Sequence, residues 1–277
     1  MRPFPQGFLG AGAASAGGWV IFGAPLDATG SFRPGSRFGP AAIRGASPVL
    51  EDWSPALGRG LSDRPFADLG DLDLPPADVS ASLGVIEATV REIGGEGRRP
   101  LMLGGEHLVT WPAVTAVAAS HPELAVVQLD AHCDLRDDYM GRRASHATVM
   151  RRVSEVVSPT RCFQLGLRSG TQEEWAFART ETRSTGRTVL PADWWEDLRH
   201  RPVYLTVDID VADPAYAPGT GTPEPGGATS AELLAAIDAL EPLRIVGADV
   251  VEVAPAYDAG GITAALAAKV VREILLM

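Results

Sequence analysis

The stretch Ala125-Val126-Val127-Gln128-Leu129-Asp130-Ala131-His132-Cys133-Asp134 is a short apolar run followed by three potential metal ligands at alternate positions. A parallel strand covered on both faces reads as such a nearly continuous apolar run. The pattern recurs twice: residues 100–103 lead into Gly104-Gly105-Glu106-His107, and residues 203–207 lead into Asp208-Ile209-Asp210. Open α/β sheets place their chemistry beyond the carboxyl ends of their strands. All six polar residues, His107, Asp130, His132, Asp134, Asp208 and Asp210, are therefore expected along one edge of one sheet.

Working outward, strand-like runs alternate with helical ones, which indicates βα repetition and a mainly parallel sheet with helices on both faces. Further strands are expected at 19–23 and 244–251. Helices are expected at 78–93, where Val79, Leu83, Ile86, Val90 and Ile93 build one apolar stripe that stops at Gly94-Gly95; from near His107 toward 120; at 230–240, behind a Thr229/Glu232 capping box; and at 264–276. The stretch 210–229, rich in proline and glycine, predicts a long but stiff loop at the strand ends, a common location for a site.

The chain has 277 residues, of which 45% are hydrophobic. That is enough for one domain spanning 1–277. Its net charge of −11 argues against nucleic acid and suits a cationic small molecule. Two cysteines, Cys133 and Cys162, make no disulfide framework, so a reducing, cytoplasmic setting is the economical inference. No apolar run approaches the ~18 residues that a membrane span requires. Residues 1–18 are expected to be a flexible start, not a cleaved leader.

Taken singly, a strand-end aspartate is ordinarily a cap or turn residue, and a lone histidine is ordinarily packed or exposed. Asp-x-His-x-Asp, Asp-x-Asp and Gly-Gly-x-His together form a ligand set for two divalent cations. Residues two apart in an extended segment share a face, which groups Asp130, His132 and Asp134, and likewise Asp208 and Asp210. The same alternation turns Cys133 away into packing. A carboxylate has two oxygens and can bridge two ions, so Asp130 and Asp208 are the expected bridges. Glu106 is expected to cap the following helix. These donors alone do not choose among manganese, iron, cobalt, nickel and zinc.

These residues resemble the ureohydrolase family, which comprises arginase, agmatinase and their relatives, with bacterial agmatinases looking most alike. The likeness extends to residues 32–44 (Phe-Arg-Pro-Gly-Ser-Arg-Phe-Gly-Pro-Ala-Ala-Ile-Arg), Ser145-His146, residues 218–223 and residues 251–255. One departure is Gly-Gly-Glu-His for the family's Gly-Gly-Asp-His, outside the ligands. The resemblance implies a single-domain, three-layer α/β/α fold with roughly eight strands, and relatives assemble as trimers or hexamers. It implies one manganese ion on His107, Asp130, Asp134 and Asp208, and a second on Asp130, His132, Asp208 and Asp210. His146 stands where the family keeps a proton-carrying histidine. Glu252 is placed to pair with a guanidinium, and Thr222 to hydrogen-bond it.

A guanidinium is delocalised and cationic, hence a poor electrophile that demands a strong nucleophile. Two ions sharing a water would hold a bridging hydroxide at neutral pH, and the four aspartates leave that centre net negative and welcoming to a cation. Arginases read the substrate's α-carboxylate and α-amine through an asparagine- and serine-rich loop; residues 135–144 lack that pattern, so arginine is disfavoured. Agmatine, hydrolysed to putrescine and urea, is the expected substrate. A guanidino acid such as guanidinobutyrate, its carboxylate met by Arg142 or Arg143, is the alternative, and a metal-binding protein without turnover is another. No Gly-x-Gly-x-x-Gly follows the first strand, which disfavours a dinucleotide enzyme.

Overall fold

The computed structural model describes residues 7–13, 17–75 and 77–277. Eight strands, β1 (Trp19–Ala24), β2 (Ala67–Asp71), β3 (Arg99–Gly104), β4 (Ala125–Leu129), β5 (Cys162–Leu165), β6 (Arg183–Thr185), β7 (Pro202–Asp208) and β8 (Arg244–Val251), pair in parallel in the order β2-β1-β3-β8-β7-β4-β5-β6. The strands that escaped sequence reading include the two edges, β2 and β6. Both are short and only partly buried, so neither carries the apolar run that double coverage imposes.

Alternation along the strands feeds two cores. Ile21, Leu103, Val127, Leu205 and Val250 face one side, under α1 (Gly39–Ala46), α6 (Ala192–Leu198), α7 (Ser230–Asp238) and α8 (Ile262–Leu276). Val20, Phe22, Met102, Val126 and Tyr204 face the other, under α2 (Val79–Gly95), α3 (Thr110–Ala118), α4 (Val149–Val157) and α5 (Gln172–Thr180). The result is the expected three-layer single domain. Helix α2 starts where Asp78 accepts the Ala81 N–H at 3.0 Å, buries Ile86, Val90 and Ile93, and runs on through Gly94 and Gly95. Helix α7 has its capping box: Thr229 Oγ1 accepts from Glu232 N at 3.2 Å, and Glu232 Oε2 accepts from Thr229 N at 2.8 Å. No helix of the described residues is long and apolar enough to cross a membrane.

Within the amino-terminal segment expected to be flexible, residues 1–6 and 14–16 lie outside the described residues. Residues 7–13 depart from that expectation. Phe8 is buried, edge-on to Phe66 with ring centroids 6.2 Å apart, and its N–H donates to Asp68 Oδ2 at 2.8 Å. Asp68 in turn holds Arg44 of α1 through both oxygens, at 2.8 and 2.9 Å, and Arg44 also pairs with Asp71. A fixed, two-pronged fork of this kind suits a buried carboxylate.

Arg44 and Asp68 have side chains 0% and 1% exposed. Removing one partner of a buried pair leaves the other charge desolvated, at a cost of roughly 3–5 kcal/mol. Arg44→Met is expected to lower the unfolding free energy by that amount, read as a fall in the urea midpoint at unchanged slope. A shift below about 1 kcal/mol would show that the pair does not matter to stability.

Candidate metal centre and active site

The four central strands β3, β8, β7 and β4 are neighbours, and their carboxyl ends deliver His107, Glu252, Asp208 with Asp210, and Asp130 with His132 and Asp134. The glycine pair before His107 answers a steric demand. A Cβ on Gly105 would lie 2.0 Å from the Leu26 carbonyl oxygen, and one on Gly104 would lie 2.6 Å from Val251 Cγ1. Only bare backbone lets the turn after β3 press against the chain following β1, where Glu106 N donates to Leu26 O at 2.7 Å.

All six expected ligands converge. His107 Nδ1 lies 3.1 Å from Asp130 Oδ2, 3.0 Å from Asp134 Oδ2 and 3.4 Å from Asp208 Oδ2. His132 Nδ1 lies 2.9 Å from Asp210 Oδ2 and 3.7 Å from Asp130 Oδ1. Two clusters have ligand geometry, His107 with Asp130 and Asp134, and Asp130 with His132 and Asp210. Asp130 belongs to both. Asp208 reaches the first cluster through His107 but belongs to neither.

The means of convergence differs from the expected alternation in an extended segment. Asp208-Ile209-Asp210 turns: Asp208 Oδ1 accepts from Asp210 N at 2.9 Å and opens a 3-10 turn, Ile209–Val211. Asp134 has φ 53, in the left-handed region. Its carbonyl accepts the N–H groups of Met150 and Arg151 at 3.0 and 3.2 Å, which ties this strained residue to α4. Glu252 has φ 64. Held strain of this kind gathers at functional sites. Cys133 packs away from the ligands, fully buried.

His107 provides the test of whether a cation fits. Thr206 Oγ1 donates to Asp249 Oδ1 at 2.6 Å, so its remaining capacity at 3.0 Å from His107 Nε2 is to accept. The ring proton then sits on Nε2, and Nδ1 points at carboxylate oxygens without a hydrogen-bond partner; burial would lower this imidazole, but Asp130, Asp134 and Asp208 push it well up, toward a second proton on Nδ1. Lone pair against carboxylates is repulsive unless positive charge lies between them. Nitrogen and carboxylate oxygen are the donors divalent metals take, so the residues fit an ion. Neither Asp249 nor Thr206 was singled out in the sequence, although an aspartate inside the apolar run of β8 was a usable signal. Arg168, also missed, donates to the carbonyls of Asp210 and Glu224 at 2.6 and 2.7 Å, pinning the proline- and glycine-rich loop.

Ionisation reflects the crowding. Burial pushes the Asp208 carboxyl well up, and the neighbouring Asp210 and Asp130 add to it. Burial and then Asp130 push Asp134 up to about 7. For Asp130 itself burial acts in the same direction, but the imidazoles of His107 and His132 outweigh it and hold it below the usual range. Burial alone would lower His132, but Asp210 and Asp130 push it up to about 12. The cage demands positive charge.

Above the cage opens a cavity of about 320 Å³ lined by His132, Asp134, Asp208, His146, Thr222 and Glu252 among others. Glu252 Oε1 accepts the His107 N–H at 2.8 Å, anchoring one end of the carboxylate. Burial pushes Glu252 up to about 8, with Glu106 adding to the shift. Thr222 Oγ1 lies 3.5 Å from Asp210 Oδ2. His146 is pushed down to about 4, first by burial and further by His107, His132 and Arg136. Glu106 does not cap the helix as expected; its Oε2 accepts the Thr29 N–H at 2.7 Å, reaching a separate loop.

An ion present at 100 times its dissociation constant stabilises the state that binds it by about 2.7 kcal/mol. Chelation is therefore expected to lower the melting temperature, and Asp130→Asn to abolish that response. Asp137→Asn, at an exposed carboxylate, should keep it. Identical melting with and without chelator would contradict a cation in the cage.

Residues 18–277 match the arginase family. The agmatinase of Bacillus anthracis is 47% identical over 266 residues, 93% of this chain and 90% of that protein. A guanidinobutyrase of Pseudomonas aeruginosa is 36% identical over 273 residues, 92% of this chain and 85% of that one. Among solved structures, the agmatine ureohydrolase of Thermoplasma volcanium has a TM-score of 0.86 at 34% identity, covering 98% of this chain and 93% of that one. With likeness spanning the sheet and every strand end that bears a ligand, the chain belongs to the arginase family of ureohydrolases.

Proposed function

We propose that the enzyme hydrolyses agmatine to putrescine and urea, with two manganese ions held by His107, Asp130, Asp134 and Asp208 on one side and Asp130, His132, Asp208 and Asp210 on the other. The observation that carries this reading is the sharing of Asp130 between two ligand clusters beneath the pocket lined by Glu252 and His146. When bound, such ions lower the pKa of water and so supply a nucleophile at neutral pH.

The protein's own groups do the rest. Glu252, fixed through Oε1, offers Oε2 to the guanidinium N–H groups; the arriving cation favours the ionised carboxylate against the burial that pushes it up, and the resulting charge-assisted contact sets the orientation of the carbon. Thr222 accepts a further N–H. As a C–O bond forms at the guanidino carbon, the C–N bond to the alkyl-bearing nitrogen breaks, and that nitrogen needs a proton. His146, neutral at pH 7, takes the proton that the attacking oxygen gives up on becoming the urea oxygen and passes it to that nitrogen.

Agmatine is favoured over a guanidino acid because the lining of the pocket offers a carboxylate no unpaired arginine. Arg142 and Arg143, the residues considered for a carboxylate, line a separate cavity. Arg136 does line this pocket, but its Nε lies 3.4 Å from Glu174 Oε2, so its charge is already paired. Glu174 is spent in the same pair: it is buried, Oε1 accepting the Leu135 N–H at 3.1 Å and Oε2 the Thr171 N–H at 2.8 Å. Asp137 points outward, to Arg152 at 2.6 Å.

Urea release should be at least roughly 100-fold more efficient, as kcat/KM, with agmatine than with arginine or guanidinobutyrate. Equal rates with all three would overturn the specificity, and no urea from any of them at full metal loading would overturn turnover itself. Glu252→Gln is expected to lower kcat/KM for agmatine by about 100-fold through lost orientation.

A further inference from the structure

Thr29, on the loop after β1, is buried between Glu106 and His146. Its N–H donates to Glu106 Oε2 at 2.7 Å. Its Oγ1 accepts the backbone N–H of His146 at 3.0 Å and lies 3.3 Å from Nδ1 of the same residue. One hydroxyl thus grips the main chain and the ring of a single histidine.

The opposite edge of the ring faces the site. Ser31 Oγ lies 3.3 Å from Nε2, and Ser31 and His146 both line the pocket above the cage, whereas Thr29 lines the separate cavity behind. The Tyr139 ring stands edge-on to the imidazole, centroids 5.6 Å apart at 87°, limiting its tilt. A proton-carrying histidine works through one nitrogen, and its orientation is set by what engages the other.

We propose that Thr29 is a positioning residue for His146: its hydroxyl holds the imidazole at Nδ1 and directs Nε2 into the pocket, while Glu106 anchors Thr29 to the turn bearing His107. This rests on the reading of His146 as the proton carrier. The loop has independent supports. Asp27 Oδ2 accepts the Gly35 N–H at 2.8 Å, and Leu26 O accepts the Glu106 N–H at 2.7 Å. Losing the Thr29 hydroxyl should therefore free the ring without unfastening the segment.

The experiment is a double-mutant cycle on the metal-loaded enzyme with agmatine, resolving kcat from KM. His146→Asn is expected to lower kcat by roughly 100-fold. Thr29→Val, which keeps the N–H and the shape, should lower kcat by about tenfold with KM within about twofold, and Thr29→Ser should recover most of the loss. In the His146→Asn background, Thr29→Val should change nothing further, because its effect passes through the missing ring. Thr29→Ala, which removes the same oxygen without a β-branch, must give the same pattern, so that poor folding of one variant cannot imitate the result.

Full activity in His146→Asn would sink the proton-carrier reading, and the role of Thr29 with it. A loss in His146→Asn with unchanged kcat in Thr29→Val and Thr29→Ala would sink the Thr29 proposal alone. Losses that multiply in the double variant, or a Thr29→Ser variant no better than Thr29→Val, would likewise overturn it.

Discussion

Four buried carboxylates share one small volume at the end of a parallel sheet, and their mutual repulsion is the constraint around which the molecule is arranged. Asp130, Asp134, Asp208 and Asp210 are each at most 8% exposed. Charges withdrawn from water persist only when opposite charge compensates them. Two imidazoles meet part of that demand, and the nitrogen and carboxylate donors suit divalent cations for the rest. Oriented polar groups hold the cage in register: Gln128 donates to Asp130 Oδ2 at 2.6 Å, and the Asp249–Thr206 pair fixes the tautomer of His107.

The scaffold makes such crowding tolerable by using rigid parts. The ligands hang from the ends of central strands whose side chains are buried on both faces, so the cage cannot relax outward without disturbing two cores. Strain is accepted where it aims a group: Asp134 and Glu252 are two of four described non-glycine residues with positive φ. One fixed carboxylate oxygen on Glu252 leaves the other available to a cation. The geometry suits a substrate that is planar and positively charged and must be held over a fixed point.

Much of this was legible in the sequence, for a physical reason. A doubly covered strand must be apolar, and a polar residue just past its end stands out; the residues at 125–134 show both, and β4 and β8 fall where expected. The edge strands β2 and β6 carry no such mark, since partial exposure relaxes the composition. Local geometry was also hidden, because spacing by two reads alike in an extended segment and in a 3-10 turn, and only hydrogen bonding separates Asp208-Ile209-Asp210 from a strand. Contacts between residues distant in sequence, such as Glu106 with Thr29 or Asp249 with Thr206 and Tyr204, are tertiary facts without a local signature.

The central claim is that the cage holds a pair of cations bridged by Asp130. Elemental analysis of protein purified from its native host, scaled to protein concentration, tests it most directly. The account predicts two divalent ions per chain, principally manganese. A single ion per chain, or none, in protein that still releases urea from agmatine would contradict it.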